Sequence, residues 1–200
     1  VLAMAQLYPS KYHISNSEYR RVFVERIAER GKGWLQAIRF DMLPWQGNEG
    51  MLQFVSDVRE DYDVQTILQC HKTAMDELGP KGVVRKLTRY ARALDYVMFD
   101  ASHGTGERMD SAKLGAFLYE AYASSALRNA NFVIAGGLDA DAVRSDVATL
   151  LAKYPDISWD AESRLHPVNN MAKQPLQMDR VKSYLQASTD LINQRNAGRK

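Results

Sequence analysis

Four short clusters hold the residues best suited to chemistry. Asp100 closes the apolar run Tyr96-Val97-Met98-Phe99, where a carboxylate can give or take a proton. The alternative is an aspartate that caps its own loop by accepting nearby backbone N–H groups. His103, Gly104, Thr105 and Gly106 follow at once. Glycines let a backbone come close to an anion and turn its N–H groups inward, and Thr105 adds a hydroxyl, although a plain turn has the same composition. Gly136 and Gly137 lie between the apolar run ending at Ala135 and a polar start signal at Asp139, so a helix N-terminus points at whatever that loop holds. Ser163 and Arg164 follow Trp159-Asp160, and an arginine there can add a charge-assisted contact to a phosphate or fill the site itself.

Cys70 and His71 are a further pair. Neighbours on a strand face opposite sides, so only one of them can face a site, and a single cysteine in a strand has the core as its alternative. His103 has simple exposure as its alternative, and Trp45, in a loop at the same rim, either floors a ring-binding pocket or covers the core edge. His13, His71, His103 and His166 share no zinc-site spacing, so no metal is expected, and no cofactor is called for.

The elements that must position these groups follow a repeating pattern. Apolar runs rich in β-branched and aromatic residues predict strands over 2–8, 34–40, 64–70, 96–101, 132–135 and 157–160. Start and stop signals predict helices over 18–28, 83–94, 112–127, 142–154 and 178–193, with 196–200 as a polar tail. Strands that alternate with helices mean βα units and a parallel sheet, and runs apolar at every position mean strands covered on both faces. An open doubly wound sheet and a closed barrel both satisfy this pattern, and in both the loops after the strands form the working edge. Each cluster above lies just past a predicted strand.

The 200 residues suit one domain spanning the whole chain. A net charge of +2 with interleaved acids and bases argues against nucleic acid, and the run of Arg85, Lys86, Arg89 and Arg92 has the spacing of a solvated helix face. No apolar run has the length of a membrane span and no secretory leader is visible, so a cytoplasmic protein is expected. The lone cysteine suits a reducing compartment.

The four clusters above, taken as three motifs, resemble phosphoribosylanthranilate isomerase. The segment Met98-Phe99-Asp100-Ala101-Ser102-His103-Gly104-Thr105-Gly106 with Asp110 is similar to that family's strand, Asp, Gly-Thr-Gly and Asp signature. Ile134-Ala135-Gly136-Gly137-Leu138 with Val143 is similar to its Ala-Gly-Gly-Leu element, and Trp159-Asp160-Ala161-Glu162-Ser163 falls where the family has its Asp-x-x-Ser-Gly strand end. The matches cover about residues 94 to 166. The resemblance implies a (β/α)8 TIM-type barrel, here short or truncated at its N-terminus because six strands are evident and the chain begins at Val1. It implies a cofactor-independent Amadori rearrangement in tryptophan biosynthesis. Asp100 would be the general acid, and Gly104, Thr105, Gly106, Gly136, Gly137 and Ser163 would hold the substrate's phosphate. The family's first-strand cysteine base has no counterpart, and Arg164 replaces its glycine. A barrel relative acting on another phosphosugar or nucleotide, and a non-catalytic member binding a phosphorylated metabolite or a protein, are the alternatives. Missing strands would leave an edge for a homodimer or a covering segment.

Overall fold

The computed structural model describes residues 4–7, 26–27, 29–31, 33–40, 49–102, 106–167 and 175–198. Six strands, β1 (Met4–Leu7), β2 (Ala37–Phe40), β3 (Gln65–His71), β4 (Tyr96–Asp100), β5 (Asn131–Ala135) and β6 (Ser158–Asp160), form one sheet in the order β1-β2-β3-β4-β5-β6. Every neighbouring pair is parallel. All six predicted strands are present, within three residues at either end. The order has no reversal, which removes the doubly wound alternative with its switch point. Right-handed crossovers in an unreversed order bring each helix to the same face of the sheet.

Among the described residues the helices with given bounds are α1 (Glu49–Tyr62), α2 (Lys72–Leu87), α3 (Ser111–Ala123), α4 and α5 (Met178–Ala197). The helix expected to end at Ala28 lies almost wholly outside those residues. Helix α4 runs as α over Ala140–Ala142, as π over Val143–Val147 and as α again over Ala148–Lys153. Four helix expectations change. Helix α1 has no sequence counterpart above, and α2 starts at Lys72 rather than near 83. Gly79, with φ 62° and ψ 176°, lets the chain step out of the helix before Pro80, which has no N–H and bars its predecessor from the helical region. Two helical pieces joined at a kink result, and residues 88–94 become a turn and a 3-10 segment. Helix α3 ends at Ala123, with Ser125–Leu127 a 3-10 turn rather than its last turn. Helix α5 also continues into the expected polar tail as far as Ala197.

Alternation along the strands separates two faces. Ile38, Phe40, Leu68, Cys70, Val97, Phe99, Phe132 and Ile134 pack under the helices against residues such as Val55, Met75, Leu87, Leu114, Phe117, Val143 and Leu150. Phe99 lies between Phe117 and Phe132, with ring centroids 5.8 and 6.3 Å away. The other face carries a small apolar cluster, Ala37, Ile67, Met98, Val133 and Ala135. Towards the carboxyl ends of the strands this inner face turns polar, with Arg39, Gln69 and Asp100 all buried.

An ion pair shows how the sheet is bent. Arg39 on β2 donates to the Asp160 carboxylate on β6 at 3.0 Å, across the inner face. Four strand intervals separate the two in the sheet, about 19 Å in a flat sheet at about 4.8 Å per strand, more than the two side chains can span. The sheet therefore curls about its inner face, bringing its second strand and its last within one side-chain pair of each other.

Candidate functional site

The carboxyl ends of the strands meet at a cavity of about 30 Å³ lined by Arg39, Gln69, Asp100, Ser102, Gly136, Gly137, Asp160, Glu162 and Ser163. Register puts Asp100 beside His71 on β3 and Ala135 on β5, and Ala135 beside Asp160. The inward side chains of these strands converge there because residues two apart share a face.

Asp100 is 7 % exposed, and both its oxygens are engaged. Oδ1 accepts from the Ser102 backbone N–H at 2.9 Å and the Ser102 hydroxyl at 3.1 Å, and Oδ2 accepts from Gln69 Nε2 at 2.9 Å. The capping role and the inward-facing role of this aspartate coexist: Ser102 is its cap, and Gln69 holds it towards the cavity. A carboxylate oxygen accepts two hydrogen bonds, so Oδ2 keeps one further acceptor site beyond Gln69.

Arg39 is the only cation among the described cavity residues. Besides Asp160 it reaches Met98 Sδ at 3.4 Å and lies 3.9 Å from Glu162. One guanidinium thus serves Asp160 and Glu162, and with Asp100 also in it the described lining has a formal charge of −2.

The glycines answer first to packing. Gly136 has φ 119°, and a Cβ there would lie 2.9 Å from the Ser102 backbone nitrogen. Gly137 has φ 59°, and its Cβ would lie 2.1 Å from the Glu107 carbonyl oxygen. The loops after β4 and β5 are pressed backbone to backbone, which leaves room for hydrogen only.

Of the sequence-predicted residues, the fold brings Asp100, Gly136, Gly137 and Ser163 to one cavity. Gly106 and Arg164 meet beside it: Arg164 Nε donates to the Gly106 carbonyl at 2.8 Å and Nη1 to Asp139 at 2.8 Å. Arg164 therefore ties together the loops after β4, β5 and β6, and it is not among the residues lining the cavity. Asp139 in turn accepts from the Ala142 N–H at 2.9 Å, so the start of α4 already has a carboxylate cap. Burial pushes the Asp139 carboxyl up, but the Ala142 N–H and the Arg164 guanidinium outweigh it and hold the pKa below the ordinary value. Asp110 of the signature caps α3, accepting from the Ala112 and Lys113 N–H groups.

Cys70 is not in the site. It lies on the helix-covered face, fully buried, and burial pushes its thiol far up from the ordinary value, which suits core packing and not proton transfer. His71 faces the inner side, and its ring nitrogen accepts from the Ala74 N–H at the start of α2. His103, Gly104, Thr105 and Trp45 lie outside the described residues. Among the described residues no group of three His, Cys, Asp or Glu side chains could hold a metal ion, and no helix is long and apolar enough to cross a membrane.

Sequence reasoning misses Arg39 and Gln69. Each is the polar member of a four-residue run that is otherwise apolar, Ala37-Ile38-Arg39-Phe40 and Ile67-Leu68-Gln69-Cys70. A polar residue at an alternate position of a buried strand was the available signal, since burying it has a cost that only a partner offsets.

Fold and site together define a singly wound parallel α/β protein with a polar cavity at the carboxyl edge of its sheet. No family model and no curated protein matches the sequence. Among solved structures, thiamine phosphate pyrophosphorylase from Pyrococcus furiosus is similar at a TM-score of 0.34 and 12% identity, over 86% of this chain and 89% of that one.

Proposed function

We propose that this chain is a short (β/α)-barrel protein that binds a phosphorylated sugar at the carboxyl edge of its sheet and isomerises it as phosphoribosylanthranilate isomerase does. The observation that carries this reading is Asp100, a buried carboxylate at the end of β4, held by Ser102 and Gln69 and facing inward beside Gly136, Gly137 and Ser163. An Amadori rearrangement needs an acid at the ring oxygen and a base for the C2 proton. Asp100 supplies the first when it carries a proton on the Oδ2 lone pair that Gln69 leaves open, passing it to the ring oxygen as the ring C–O bond breaks. The C2 proton passes to another carboxylate of the lining, Asp160 or Glu162. The phosphate lies outward, against the backbone of Gly106, Gly136 and Gly137 and the Ser163 hydroxyl, the resemblance adding Gly104 and Thr105 to its holders. The curl of the sheet, measured by the Arg39–Asp160 pair, supports the barrel.

Two observations favour a second reading, a relative that binds a phosphosugar or nucleotide without this reaction. Cys70 faces away from the cavity, and the described lining carries three carboxylates to one guanidinium, which weakens the hold on an anion.

The deciding assay follows the loss of substrate fluorescence when phosphoribosylanthranilate is offered to the wild type and to Asp100→Asn, alongside thermal-shift titration with ribose 5-phosphate. The isomerase reading expects turnover that falls about 10²–10⁴-fold in the variant. Ligand at about a hundred times Kd should add about 2.7 kcal/mol of stability. Stabilisation without turnover selects the second reading, and a folded protein showing neither result sinks both.

A further inference from the structure

The amide of Gln69 has only one of its two ends satisfied. Nε2 donates to Asp100 Oδ2 at 2.9 Å, while Oε1, in a side chain 6 % exposed and lining the cavity, has no hydrogen-bond partner among the described residues. With Asp100 ionised, the amide gains nothing by turning over, because Oε1 would then face a carboxylate oxygen, two acceptors with no proton between them. A buried acceptor without a donor is costly, and native interiors seldom keep one unless water or a ligand completes it. The cavity beside it, about 30 Å³, has room for one or two water-sized groups and not for a sugar ring. Its remaining polar lining is rich in acceptors, with the Asp160 and Glu162 carboxylates across from Asp100.

We infer that Gln69 is the specificity-determining residue of this site, and that its Oε1 receives one hydroxyl of the sugar. The inference rests on the phosphosugar reading and deepens it: the phosphate remains at the outer loops, and a single hydroxyl reaches inward, donating to Gln69 and displacing the water that fills the space otherwise. The same amide positions Asp100, so the group that reads the hydroxyl also sets the proton donor. A site built around a hydrogen bond to a hydroxyl rejects an analogue that lacks it, because the buried acceptor is then left bare.

The test compares binding of ribose 5-phosphate with three analogues that each lack one hydroxyl, the 2-deoxy and 3-deoxy sugars and 1,4-anhydroribitol 5-phosphate, on wild type, Gln69→Leu and Gln69→Met. Two variants guard against one that fails to fold, and circular dichroism establishes which are folded. The wild type should bind ribose 5-phosphate at least about tenfold tighter than one of the analogues, and that preference should shrink to within about twofold in a folded variant. A general structural role for Gln69 would weaken all four ligands together and leave the ratio unchanged, which overturns the inference. Equal binding of all four by the wild type also overturns it while leaving the phosphosugar reading intact. Absence of binding by any of them removes that reading, and this inference with it.

Discussion

At the scale of single residues, most groups near the site hold the loops in place, and Asp139 shows how. Its carboxylate caps α4 and receives Arg164, which also holds the Gly106 carbonyl. The folded pKa lies below the ordinary 3.8, so the ionised form is favoured by folding. The stability it contributes is fully present above pH 3.8 and is lost as the pH falls below that value through the lower folded pKa. Urea melts at pH 5 and pH 3 should therefore show a smaller acid-induced loss in Asp139→Asn than in the wild type. Equal losses in the two proteins would mean that Asp139 is not a source of acid sensitivity. The pairing also explains why an arginine is accommodated where the resembling family has a glycine: its side chain spans the loops beside the cavity and does not enter it.

At the scale of elements, the loops after β4 and β5 behave as one unit. The positive φ of Gly137 and the 2.1 Å approach of its virtual Cβ to the Glu107 carbonyl leave no room for a methyl group. Gly137→Ala should cost about 2 kcal/mol or more by combining backbone strain with a displaced loop, read as a drop in melting temperature. Gly79→Ala, also at positive φ but with open space around its Cβ, should cost less, because only strain is added there. A smaller loss at Gly137 than at Gly79 would show that the two loops are not packed as described. The contrast also bears on choosing a site variant: a side chain at Gly136 would meet the backbone of Ala101 and Ser102, so Asp100→Asn probes the chemistry more cleanly.

At the scale of the whole molecule, the Arg39–Asp160 pair links the second strand to the sixth, and its two halves are unequal. The arginine side chain is 5 % exposed and the aspartate 35 %. Asp160→Asn leaves a buried guanidinium with a weaker neighbour and should cost about 3 kcal/mol. Arg39→Met removes the buried charge itself, fills the space beside Met98 with apolar atoms and should cost less, because Asp160 can still be solvated. Chemical denaturation of the two variants checks the order. A reversed order would mean that the curl of the sheet depends on the arginine stem more than on the ion pair.

The six parallel strands were legible in the residues alone, because runs of β-branched and apolar residues alternate with helix signals. Strands β2 and β4, buried at nearly every position, leave little choice of local structure. The sequence also placed Asp100, Gly136, Gly137 and Ser163 at one edge, since residues that follow parallel strands share an end of the sheet whatever the strand order. It left α1 unread: two glycines, Gly47 and Gly50, obscure the start, and the burial of Val55 against the sheet is a tertiary fact. Which neighbour of the Cys70-His71 pair faces inward was open as well, because a period of two gives alternation without saying which side the helices cover. Only the tertiary structure settled that the helices lie over Cys70, that Arg164 ties loops together beside the cavity, and that Arg39 and Gln69 reach the space around Asp100. Those contacts join residues up to 121 positions apart in the chain, and no local pattern of side chains encodes a distance across a curled sheet.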